Sequence, residues 1–77
     1  MSIKDYYRRD TVACTVLYQN SKGSVLKING ITENPYVILH NVFLDKGNVV
    51  LVSIAYISQD FGYVKVTPDS ILDYSAA

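Results

Sequence analysis

Tyr36-Val37-Ile38-Leu39-His40-Asn41-Val42-Phe43-Leu44, then Asp45-Lys46-Gly47-Asn48, then Val49-Val50-Leu51-Val52-Ser53-Ile54-Ala55-Tyr56-Ile57: this stretch decides the fold. Two runs rich in β-branched and aromatic residues flank four residues suited to a reversal. Such side chains are stiff at χ1 and fill a pleated surface, so both runs favour strand over helix. Gly47 and Asn48 tolerate the positive φ that a tight turn needs. The pattern predicts a long β-hairpin from Tyr36 to Ile57. Both of its faces are largely apolar, so each needs a cover.

Working outward toward the amino end, Thr32-Glu33-Asn34-Pro35 is a loop, because proline pushes Asn34 away from the helical region. Ser24 to Ile31 alternates as a strand, with Leu26 and Ile28 on one face and Val25, Lys27 and Asn29 on the other. Gly30 marks a bend or bulge in it. Asn20-Ser21-Lys22-Gly23 is a turn by composition. Thr11 to Gln19 alternates again, placing Val12, Cys14, Val16 and Tyr18 on one face. Ser2 to Arg9 reads as one or two helical turns, with Ser2 and Asp5 as a capping pair and Arg8 and Arg9 near the carboxyl end. The alternative is a frayed terminus. Toward the carboxyl end, Ser58-Gln59-Asp60-Phe61-Gly62 is a short loop. Tyr63 to Thr67 is the last strand, and Pro68 ends it. Asp69 to Ala77 adds a turn of helix or a tail.

The 77 residues make one domain: an N-terminal helix or arm over 1–10, five strands over 11–68 and a tail over 69–77. A chain this short buries roughly 60–65% of its unfolded surface, so its core is marginal. Disulfides within the chain are excluded, because Cys14 is the only cysteine; it reads as a small buried residue. One Cys and one His do not supply a structural zinc site, and no cofactor motif is present. The formal net charge is zero, which removes a global field that would steer a polyanion but not a local patch. The charged start lacks the features of a signal peptide, and no apolar run approaches the roughly 18–20 residues of a membrane helix. A cytoplasmic protein with a reduced thiol is expected. A flat sheet with so many two-sided apolar runs would expose a sticky face and two edges. Curling it into a small, strongly bent antiparallel barrel buries one face. The remaining edges then favour association between subunits.

Two stretches resemble the Sm/LSm family of small barrels, which includes bacterial Hfq. Tyr36-Val37-Ile38-Leu39-His40-Asn41-Val42 is similar to the end of that family's first motif. Gln59-Asp60-Phe61-Gly62-Tyr63-Val64-Lys65-Val66-Thr67-Pro68 is similar to the second, a loop and a short strand closing on Thr-Pro. The chain departs from the family in the base-contacting loops: Thr32, Glu33 and Tyr36 stand where an Asp and an Asn are usual, and Gln59-Asp60 replaces Arg-Gly. The resemblance implies an Sm-like five-stranded barrel with a short N-terminal helix. It also implies a homo-oligomeric ring, closed by pairing the fourth strand of one subunit with the fifth of the next, which binds single-stranded RNA or DNA.

For catalysis the sequence offers little. His40 lies within an apolar run, no serine or cysteine sits in a nucleophile motif, and no glycine-rich phosphate loop exists, so no enzyme is expected. Single-stranded nucleic acid is held by bases stacked on aromatic rings, aided by amides and cations. The loops Thr32–Tyr36 and Ser58–Tyr63, brought together at one opening of such a barrel, supply Tyr36, Phe61 and Tyr63 for stacking and Asn34 and Gln59 for base edges. Lys65, Lys22, Lys27 and the Arg8-Arg9 pair would meet phosphates. Glu33 and Asp60 in the same loops oppose them. The plain alternative is that Tyr36 and Tyr63 pack at strand ends or subunit contacts, in an assembly or adaptor protein that binds another protein and no nucleic acid.

Overall fold

The stretch from Tyr36 to Ile57 forms two strands that do not pair with each other, so the predicted hairpin is not there. The computed structural model describes residues 2–70. Its strands are β1 (Thr11–Asn20), β2 (Gly23–Ile28), β3 (Tyr36–His40), β4 (Val49–Ile57) and β5 (Tyr63–Ser70), and they close into a barrel in the order β1-β2-β3-β5-β4 and back to β1.

The connection between β3 and β4 explains the outcome. Asn41 takes a left-handed φ of 62° directly after β3 and donates its N–H to the Lys22 carbonyl at 2.8 Å. Asparagine is among the few residues with glycine-like tolerance for that conformation. Ser24, fully buried in β2, donates its hydroxyl to the Val42 carbonyl at 2.6 Å and accepts the Leu44 N–H at 2.8 Å. Gln19 then donates to the Leu44 carbonyl, and Gly47 to the Val16 carbonyl. The connection is thus tied across the end of the β1–β2 hairpin and delivers β4 to the free side of β1, where Thr15 faces Val49 and Thr11 faces Ser53. The local reversal at residues 45–48 is real, with the Asn48 N–H on the Asp45 carbonyl. It turns the chain without pairing its flanks.

With β4 placed beside β1, a gap remains between β4 and β3. The short loop 58–62 folds β5 back against β4, antiparallel, and β5 therefore runs parallel to β3. The barrel is mixed where an antiparallel one was expected. Its fourth and fifth strands pair within one chain, and each has a second neighbour, so the pairing expected between subunits is satisfied internally. The need to hide sheet edges, which favoured a ring, is met by closure.

Other boundaries shift for local reasons. β2 ends at Ile28 and residues 29–30 form a turn, so Gly30 closes the strand instead of bending it. A Cβ on Gly23 would stand 2.0 Å from the Leu39 carbonyl oxygen, which is why β2 starts on a glycine. β5 continues through Pro68, paired with Val52 at a register shift where a missing N–H is tolerated. The helical turns expected over Ser2–Arg9 reduce to one 3-10 turn, Ile3–Asp5; the Ser2–Asp5 capping box is formed as expected. Among the described residues no helix is long and apolar enough to cross a membrane. The tail expected over 69–77 lies outside the described residues from 71 onward.

The interior is filled by one alternating face of each strand: Val12, Cys14 and Val16; Leu26 and Ile28; Val37 and Leu39; Val50, Val52 and Ile54; Val64 and Val66. Ile3, Ile31 and Leu44, from outside the strands, complete it. Burial pushes the Cys14 thiol up to about 12, so it is a packing group and not a nucleophile.

Candidate nucleic-acid interface

Two of the sheet's register shifts reverse the alternation that fills the interior, and each turns a tyrosine outward. In β1, Val12, Cys14 and Val16 point in, so strict alternation would send Tyr18 in as well. A register shift between Val16 and Tyr18 reverses its side, and Tyr18 is 52% exposed. In β4, Val50, Val52 and Ile54 point in, and a second shift between Ile54 and Tyr56 turns Tyr56 out, also 52% exposed. One extra residue in a strand re-aims the next side chain, and a tyrosine is too large for an interior built mainly of valine and isoleucine.

The strand registers place these two tyrosines at opposite ends of one row on the outer wall. Tyr18 faces Val25, Val25 faces Ile38, Ile38 faces Lys65, and Lys65 faces Tyr56. Val25 and Ile38 are buried, although they stand outside the interior cluster. One step along β3 and β5, Tyr36 faces Tyr63. Their rings stack with centroids 5.9 Å apart and planes 18° apart. Tyr63 also meets the Tyr56 ring at 6.2 Å, tilted by 52°. The Tyr36 hydroxyl accepts from the Asn20 amide at 3.0 Å, which fixes the direction of its ring. Tyr18, Tyr36, Tyr63 and Tyr56 thus share a wall whose floor is Val25 and Ile38.

The loops that the sequence sets beside each other do meet: the Tyr36 N–H donates to the Gly62 carbonyl at 2.9 Å. Of the six residues singled out from the sequence, Tyr36, Tyr63 and Lys65 fall on this wall. Asn34 is exposed in the connection ahead of Tyr36, outside the row. Phe61 is half-buried off the tyrosine row: it packs against the interior cluster, with the Lys4 ammonium 5.8 Å from its ring centroid. Gln59 is exposed and lines a separate groove. Tyr18 and Tyr56 were missed because their positions have interior parity. The available signal was their bulk, which does not suit the valine-sized positions before them.

The groove lies between the N-terminal arm and the end of β4. It has a volume of about 610 Å³ and is lined by Lys4, Tyr6, Tyr7 and Arg8 on one side and by residues 55–59 and Phe61 on the other. Tyr56 belongs to both the groove and the tyrosine row.

Charge is sorted between these surfaces and the turns. Gly23–Ile28, Tyr36–His40 and Tyr63–Pro68 contain no carboxylate, while Lys27 and Lys65 are exposed there and Lys22 sits in the β1–β2 turn. Asp5, Asp10, Glu33 and Asp60 each accept a backbone N–H, from Ser2, Tyr7, Ile3 and Gly62. Glu33 also takes the Ser2 hydroxyl at 2.5 Å, and these bonds hold its carboxyl down to about 2. The Ser58 hydroxyl at 2.7 Å and the Gly62 N–H lower that of Asp60. The two acids that seemed to oppose phosphate from the sequence are therefore engaged in fixing the arm and the β4–β5 loop.

Compared with protein-family models, with curated proteins and with solved structures, the chain gives no match in any of the three.

Proposed function

We propose that this protein binds single-stranded nucleic acid, RNA before DNA, along the wall of tyrosines formed by β1, β2, β3, β5 and β4. The observation that carries this reading is the coincidence of three things on one surface: aromatic rings spaced 5.9 and 6.2 Å apart, exposed lysines, and strand segments (Gly23–Ile28, Tyr36–His40 and Tyr63–Pro68) without a carboxylate. Bases stack on such rings at about 1–3 kcal/mol each, whatever their identity, and cations track the backbone. The closed order β1-β2-β3-β5-β4 with a parallel third–fifth pair is also the connectivity of oligonucleotide- and oligosaccharide-binding barrels, which take ligands on the second and third strands and the adjoining loops. That likeness is one of architecture and lends support without deciding function.

The proposal requires only a single barrel. A ring of the Sm-like kind would repeat the same wall around a pore, but β4 and β5 would first have to give up their pairing with each other. The test is fluorescence anisotropy of labelled oligo-U and oligo-A, in ribo and deoxy forms, at low salt. Binding that weakens with salt is expected. The double variant Tyr36→Ala, Tyr63→Ala should lose at least roughly tenfold in affinity, since two stacking contacts go. Its mass by light scattering should stay unchanged. No binding of any oligonucleotide at low salt would sink the proposal and favour an adaptor whose aromatic wall meets another protein.

A further inference from the structure

We infer that the groove between the N-terminal arm and the end of β4 holds the phosphorylated end of the strand: one terminal nucleotide with its phosphomonoester. This deepens the function proposed above and rests on it for the remainder of the strand.

The groove wall is built, not incidental. The arm is fastened at its start by Glu33, which takes the Ser2 hydroxyl and the Ile3 N–H, and by the Ile3 side chain, which is fully buried. It is fastened again after the groove, where the Tyr7 N–H donates to the Asp10 carboxylate and the Arg9 N–H to the Ile54 carbonyl at 2.7 Å. Between these anchors, Lys4, Tyr6, Tyr7 and Arg8 are held against the end of β4. The volume of about 610 Å³ lies in the roughly 300–1,000 Å³ range of small-ligand sites.

Its chemistry suits a nucleotide. Tyr7 and Tyr56 are exposed rings, and Lys4 and Arg8 bring two cations with no carboxylate among the lining residues. A nucleoside alone would not use the cations, and inorganic phosphate would not use the rings. A phosphodiester inside a strand carries one negative charge, whereas a terminal monoester approaches about two near neutral pH. A pair of cations discriminates in favour of the end. Position agrees: Tyr56 contacts Tyr63 and lines the groove, so a strand lying along the tyrosine row enters the groove as it passes Tyr56.

The experiment compares one oligonucleotide in three forms: with a 5′-phosphate, with a 3′-phosphate, and with hydroxyls at both ends. One phosphorylated form should bind roughly tenfold more tightly than the unphosphorylated one, the scale of a charge-assisted contact. Arg8→Gln and Lys4→Gln should each abolish that difference between the phosphorylated and unphosphorylated forms. Tyr36→Ala should weaken all three forms equally. Binding indifferent to the terminal phosphate would overturn the inference and leave the proposed function standing. If no oligomer binds, adenosine 5′-monophosphate and uridine 5′-monophosphate decide the groove alone, against adenosine and inorganic phosphate. Mononucleotide binding lost in Arg8→Gln would uphold the groove, and its absence would refute it.

Discussion

Glu33 shows how one side chain fixes a surface it does not belong to. Its two carboxylate oxygens take the Ser2 hydroxyl and the Ile3 N–H, 31 and 30 positions away in sequence, and so hold the arm that walls the groove. Those bonds need the charged form, and they hold the folded carboxyl near 2, below the usual 4.5. A depressed folded value stabilises the arm above the unfolded value, and this contribution is lost as pH falls through the folded one. The arm should therefore be indifferent to pH from neutrality to about 4.5 and should loosen between there and about 2. The Ile3 amide resonance, followed by NMR during an acid titration, should move in that window. In Glu33→Gln it should already sit at its shifted position at pH 7 and stay flat on acidification. An Ile3 amide that titrates alike in both proteins would show that Glu33 is not the anchor.

At the scale of elements, alternation was a good guide to where strands lie and a poor guide to which strands meet. Four of the five strands sit within a few residues of the runs their composition marks, because β-branched spacing is a local property. The exception is the run after His40, where left-handed Asn41 ends the strand early and leaves Phe43 exposed. Pairing depended on Ser24 and Gln19 catching the connection 41–48, which are contacts between distant residues that no local pattern encodes. The candidate site was half legible for the same reason. Tyr36 and Tyr63 lie on regular stretches with exterior parity, while Tyr18 and Tyr56 follow bulges that reverse theirs. This reversal has a thermodynamic signature. An interior aromatic truncated to alanine costs about 3–5 kcal/mol, and an interior isoleucine about 2–5. Tyr56→Ala should instead change unfolding free energy by less than about 1 kcal/mol, as surface substitutions do. Ile54→Ala, two residues away, should cost about 2–5 kcal/mol. Urea unfolding of the two variants separates the cases, and a large loss for Tyr56→Ala would place its ring inside the barrel after all.

For the molecule as a whole, a formal charge of zero conceals a sorted distribution. Among the described residues, Asp5, Asp10, Glu33 and Asp60 are bonded to the backbone of the arm and the β4–β5 loop, while Lys27 and Lys65 stand exposed on the strands and Lys4 and Arg8 line the groove. Net charge therefore says nothing about how strongly a polyanion is drawn to this protein, but the salt dependence of binding does. For a single strand, the slope of log affinity against log salt is about −0.7 for each phosphate neutralised. On the proposed reading Lys22, Lys27 and Lys65 meet phosphates along the wall, so an unphosphorylated oligomer should show a slope of about −2. The groove adds one phosphate, the terminal monoester that Lys4 and Arg8 would meet, so the end-phosphorylated form should steepen to about −2.8. Lys65→Gln should make both slopes shallower by about 0.7, because Lys65 lies between Ile38 and Tyr56 in the row and serves either ligand. Arg8→Gln should flatten only the steeper one. Anisotropy titrations across a salt series measure all of these on the same samples, and identical slopes for the two oligomers would mean that the groove cations never meet the strand.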